Sequence, residues 1–205
     1  MRESAAPLAA LRRATAADHE SVDQLIHPHR LVDIGYYAAV VRGLIEAAER
    51  VEVTLPLIPS ELHAEGLSPS EVSKRLALDD ESTFLDGLAG AWSLRRPSGL
   101  QEPLLGSGPH PRATMLGLLY VYVGSGLGGL RLLRVARTAP WWQRERVHLL
   151  LRPYGAHLDD RWRAVLTALA RLDSDETNAA ATAARVCFDL HRRSLVDHLS
   201  VGRGG

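Results

Sequence analysis

The chain has 205 residues, 46% hydrophobic and 23% charged, and its 24 basic and 24 acidic side chains cancel to zero formal charge. That length and apolar content fit one folded domain with its own core and exclude a disordered chain. A single cysteine, Cys187, excludes a disulfide framework and any multi-thiolate metal centre, and zero net charge argues against a general nucleic-acid binder.

Arginines and acids are scattered through the first twenty residues with no uninterrupted apolar signal core, so the sequence reads as a cytoplasmic protein. Residues 5–26 set Leu8, Leu11, Thr15, Val22, Leu25 and Ile26 along one helical stripe. Residues 31–55 repeat that spacing through Ile34, Val41, Leu44, Ala48 and Val51, and stop before Pro56. Ser68 and Pro69 form an N-cap and first-turn pair for a helix over 69–78, and a further helix is predicted over 82–94. Four prolines and three glycines make 95–112 a loop. Helical patterns return around 141–151, 156–172 and 175–199, the last with Asp175 and Glu176 in its first turn and Arg192 and Arg193 towards its far end. No two alternating strands are joined by a hairpin signal, so the expected fold is an all-α bundle forming one domain over 1–200, with a short flexible tail at 201–205.

One segment resists that pattern. Residues 113–130 carry no charge over eighteen positions, the lower limit for a membrane span. Five of them are glycine, and Thr114, Tyr120, Tyr122 and Ser125 add polarity, so a buried segment of a soluble protein with no membrane span is expected. Within it LLYVYV has strand-like composition, and Gly124, Gly126 and Gly129 fit the pattern GxGxxG. A dinucleotide fold also needs a second parallel strand closed by an acid about 20 residues on. Glu145 has the spacing but precedes its apolar run, and nothing upstream supplies the remaining strands, so that reading is rejected. Glycine inside a helix costs roughly 1 kcal/mol relative to alanine, which requires compensation by a close backbone approach, of either another helix or a flat ligand.

The first helix offers a second signal. His19 and Asp23 stand one turn apart and project from one face. A carboxylate beside one imidazole nitrogen orients the ring and leaves the other nitrogen to bind a metal. Charge is unevenly spread: residues 111–172 hold ten arginines and three acids, and Lys74 is the chain's only lysine.

Together, LRRATAADHESVD (residues 11–23) and YVYVGSGLGGLRLLR (residues 120–134) resemble the heme oxygenase family, in its bacterial biliverdin-producing branch. The likeness is good over 8–26 and 113–137, plausible over 154–199 and weak between 55 and 110. It implies a heme oxygenase-like multi-helix bundle holding heme between a proximal helix and a glycine-rich distal helix. The implied activity is conversion of heme to biliverdin, CO and iron by a monooxygenase that uses O2 and a reductant.

By the same resemblance, His19 is the axial ligand to heme iron and Asp23 its orienting partner. Gly124, Ser125 and Gly128 form the catalytic wall, and Arg12, Thr15, Gly129, Arg163 and Phe188 are further heme contacts, the two arginines being suited to the propionates. Ser125 stands where some members of the family carry an aspartate. The implied cofactor is b-type heme, itself the substrate. The implied partners are an electron donor (ferredoxin, flavodoxin or a reductase) and, downstream, a biliverdin-using photoreceptor. Two other readings stay open: a heme carrier of the same fold, and another enzyme of this bundle type, thiaminase-like or di-iron oxidase-like.

Overall fold

The computed structural model describes residues 6–88, 104, 108–142 and 149–201. Every regular element among them is a helix. Eight are α-helical: α1 (Ala6–Asp23), α2 (Ile34–Glu52), α3 (Ser60–His63), α4 (Pro69–Val72), α5 (Arg75–Leu88), α6 (Pro111–Ala136), α7 (Leu158–Leu169) and α8 (Ser174–Val201). Short 3-10 turns at Pro28–Val32, Leu55–Leu57, Leu149–Leu151 and Gly155–His157 join some of them.

The long helix α8 runs against α6, α2 and α1, and α7 packs on α6. Its closeness to two neighbours has a cause in the sequence. A Cβ added at Gly117 of α6 would overlap the carbonyl oxygen of Ala180, and one at Gly43 of α2 would lie 2.9 Å from the Cα of Leu195. Ala180, Ala181, Ala183 and Ala184 are all buried on α8, so small residues meet small residues and the backbones approach.

The expected all-α architecture is therefore present, with several boundaries moved. The pattern over 31–55 divides: a 3-10 turn ends at Val32, and Asp33 starts α2 afresh by accepting the Tyr36 N–H at 2.8 Å. Ser68 and Glu71 form the full capping box at the start of α4, yet α4 stops at Val72 instead of running to 78. The chain breaks at Ser73 and Lys74 because Glu52 of α2 accepts the Ser73 hydroxyl at 2.8 Å and the Lys74 N–H at 2.5 Å. Helix α5 then occupies 75–88, earlier than the expected 82–94, and 89–94 lie outside the described residues.

Pro111 opens α6 at its first turn, shortening the expected loop, most of which also lies outside the described residues. LLYVYV is helical: Leu118, Leu119, Val121, Tyr122 and Val123 are buried within α6. Burial on a crowded central helix outweighs the strand preference of β-branched and aromatic residues. Around 141–151 the described ends are a turn at Trp141 and a 3-10 turn at 149–151, with 143–148 undescribed. Helix α6 is long and apolar enough to cross a membrane by length and composition, and 61% of its most apolar eighteen-residue window is buried inside the fold.

Candidate functional site

Helices α1 and α6 border one cavity of about 630 Å³, with α8, α2 and α7 contributing further walls. Its size falls within the common range for small-molecule and cofactor sites, roughly 300–1,000 Å³. Val22, Ile26, Leu44, Leu132 and Phe188 give it an apolar lining, into which a few polar groups converge.

His19 lies on the open side, 60% exposed, with its Nδ1 3.4 Å from the Asp23 carboxylate. That neighbour favours a proton on Nδ1 and a lone pair on Nε2. The imidazole meets Phe188 edge-on, with ring centroids 5.5 Å apart, so α8 buttresses the ring from the side. Of the residues the sequence singled out, His19, Asp23, Gly124, Ser125, Gly128, Gly129 and Phe188 all line this cavity.

The glycines of α6 divide by role. Gly128 is exposed, and an added Cβ there would meet nothing within 4 Å, so bare backbone faces open space. At Gly124 a Cβ would come within 3.1 Å of the Trp162 ring, which also lines the cavity and packs against Tyr120. Gly129 and Gly126 serve packing: a Cβ at Gly129 would press on the Leu151 carbonyl at 2.8 Å, and one at Gly126 on the Leu158 side chain at 2.9 Å.

Three expected contact residues do not line the cavity. Thr15 turns into the core, 2% exposed, and its hydroxyl donates to the Leu11 carbonyl of its own helix at 2.9 Å. Arg163 is exposed on α7 and paired with Asp160 at 2.8 Å, while the adjacent Trp162 faces inward. Arg12 is exposed on α1, two turns before His19. Arg131 of α6 is the arginine that borders the cavity, exposed at its rim.

Two further lining residues escaped the sequence reading. Lys74, 3% exposed, sends its Nζ to the Tyr122 carbonyl at 2.5 Å and to Ser125 Oγ at 2.8 Å. Burial pushes its pKa down to about 7, only partly offset by Cys187 and Glu52. His191 of α8 holds its Nδ1 2.8 Å from the Cys187 carbonyl, which fixes the proton there and leaves Nε2 as an acceptor. Burial, helped by Lys74, lowers His191 to about 4, so the ring is neutral. Behind them, Glu52 also accepts the Tyr122 hydroxyl, and Tyr154 donates to the Val72 carbonyl at 2.7 Å. Burial raises both phenols above their ordinary range, so they stay protonated donors. Cys187 is fully buried and pushed up to about 12, an inert thiol.

The arrangement offers one open-side imidazole with a carboxylate beside it, a stretch of bare helix backbone, and a buried amine–hydroxyl pair. Among the described residues, no group of three or more His, Cys, Asp or Glu side chains is placed to hold a bare metal ion. No protein-family model, curated protein or solved structure matches this chain.

Proposed function

We propose that this chain binds heme in the cavity between α1 and α6 and acts as a heme-degrading monooxygenase, yielding biliverdin, CO and iron from heme, O2 and reducing equivalents. The observation that carries the reading is the convergence of His19 and Gly128, 109 positions apart in sequence, on the walls of one apolar cavity.

The residues present fit the group. The volume is adequate, the lining is apolar, and His19 presents a nitrogen that the protein does not use. Bound heme supplies an iron that activates O2 beside the oxidisable edge of its own ring. The chain supplies geometry. His19 would hold the iron from α1, and Asp23 would keep the imidazole in the tautomer that binds metal. The unsubstituted backbone at Gly128 would leave room for a flat macrocycle beside α6, with the Trp162 ring standing against Gly124 as a wall. Arg131 at the rim suits a propionate, since a guanidinium matches a carboxylate fork. Ser125 takes the place of a charged distal group; its hydroxyl donates to the Tyr122 carbonyl at 2.8 Å and accepts from Lys74.

Reduction requires a partner. Arg131, Arg134 and Arg137 lie along the C-terminal end of α6 and form no ion pair with any described residue. An acidic ferredoxin or flavodoxin would be steered towards that edge. A heme carrier is the second reading, favoured by the commitment of the Ser125 hydroxyl proton to the Tyr122 carbonyl of its own helix.

One assay separates the two. Hemin is added to the purified protein, followed by ascorbate or by ferredoxin with its reductase. The enzyme reading expects the Soret band to decay as a biliverdin spectrum grows. A Soret band that persists under reductant and O2 assigns the chain to the carrier reading, and failure to form any hemin complex removes both.

A further inference from the structure

The cavity's inner wall carries a buried amine with no carboxylate in ion-pair contact among the described residues. An ammonium has three N–H donors, and two of those on Lys74 go to neutral oxygens, the Tyr122 carbonyl and Ser125 Oγ. Its Nζ also lies 4.2 Å from the centroid of the Tyr122 ring, whose face favours a positive charge. No described carboxylate comes within ion-pair distance of it. The nearest acid, Glu52, is committed to the Lys74 backbone N–H, the Ser73 hydroxyl and the Tyr122 hydroxyl.

The other titratable groups around the amine are held in their uncharged forms. Tyr122 faces it from α6, Tyr154 from the turn before α7, and Cys187 and His191 from α8. A charge on an amine buried in this way is costly, so the group gives up its proton near pH 7 unless an opposite charge joins it. The third N–H has no partner among the described residues, and the side chain borders the cavity, so the cavity is where that partner would sit.

We propose that Lys74 and Ser125 form a binding point for a single carboxylate-sized anion on the inner wall of the cavity. Lys74 contributes the charge and one donor. Ser125 sets the direction from which the anion approaches, because its hydroxyl occupies one side of the ammonium. The site does not depend on heme being the physiological ligand. The anion is either a small free ion or the head of a molecule whose apolar body fills the remaining space, and both arrive through the same contact.

The test exploits the single lysine. Protein grown on lysine labelled with 13C at Cε gives one signal, that of Lys74. Formate and octanoate are titrated against the ligand-free full-length chain. The expected result is a saturable shift of that signal, with formate binding in the millimolar range and saturating by about 100 mM, as befits one charge-assisted contact. The midpoint of the lysine titration should rise when the anion is bound. Octanoate binding about 10-fold tighter than formate identifies an anion with an apolar body, and equal affinities identify a small ion; either result supports the site. Lys74→Met should weaken octanoate binding about 10-fold by calorimetry, and Ser125→Ala about 3-fold. A signal that titrates like a free lysine, or that fails to move in saturable fashion with either anion, overturns the proposal without any variant having to fold. Hemin added to the octanoate complex addresses the heme reading separately: displacement places both ligands in one cavity, and the absence of any hemin complex sinks that reading while leaving the anion site standing.

Discussion

His19 and Asp23 sit one turn apart on α1, more than half exposed, and each finds the other with no help from the rest of the fold. Lys74 borders the same cavity in the opposite manner. It is buried at a break between two helices and held by residues of α2 and α6, 22 and 48 positions away in sequence. The first wall is a local device laid on the outside of the bundle, and the second exists only once α2, α5, α6 and α8 have packed. Changes to the first should therefore alter binding while sparing stability. Changes to the second should register in stability first.

The largest expected effect follows from Lys74. An unfolded lysine titrates near 10.5 and the folded one near 7, so between those values the unfolded chain holds more protons. Stability should therefore climb as pH rises through that window, by an amount on the order of a few kcal/mol. Urea unfolding across that range measures it, and Lys74→Met should flatten the slope. His191 adds a slope of the same sign lower down, with stability falling as pH drops from 6.5 towards 4, and the Lys74 variant should keep that limb. A pH-independent wild type would mean that the inner wall is wetter than its burial indicates.

Gly117→Ala comes next. The new methyl would collide with the backbone of Ala180, which no side-chain rotation relieves, so a loss of about 3 kcal/mol in chemical unfolding is expected. His19→Ala should leave the unfolding curve unchanged and weaken hemin binding about 10- to 100-fold, or roughly 1.4–2.8 kcal/mol, with exogenous imidazole restoring the spectrum. An unaltered hemin spectrum would remove His19 from the site. Gly128→Ala should stabilise the helix by about 0.5–1 kcal/mol, since nothing stands near the added carbon, while weakening hemin binding. Asp23→Asn should have the smallest effect: at an exposed pair, a change in stability below about 0.5 kcal/mol and a few-fold loss in hemin affinity.

This contrast also explains what could be read from residues alone. The helical character of most segments was legible because apolar spacing is a local signal, and so was the His19–Asp23 pair, which needs only one turn of helix. The split of the 69–78 pattern was not, because Val72 is followed by the Ser73 hydroxyl and the Lys74 backbone N–H, both donated to Glu52 on another helix. Lys74 and His191 stood as isolated residues in the sequence, since only packing brings them to Ser125 and the cavity. The glycines of α6 were visible as a group, but their spacing could not say that Gly117, Gly126 and Gly129 make room for Ala180, Leu158 and Leu151 while Gly128 faces open space. Arg131 was overlooked in favour of Arg12 and Arg163 for a related reason: one arginine resembles another until the rim is formed.

The lone lysine has a practical consequence. Lys74 carries the one lysine amine in this sequence, and it is 3% exposed, reached only from the cavity. An amine-reactive dye too large for the cavity should therefore couple at Lys74 only when the bundle opens, so that labelling at that position, read by peptide mass, becomes a clock for that opening.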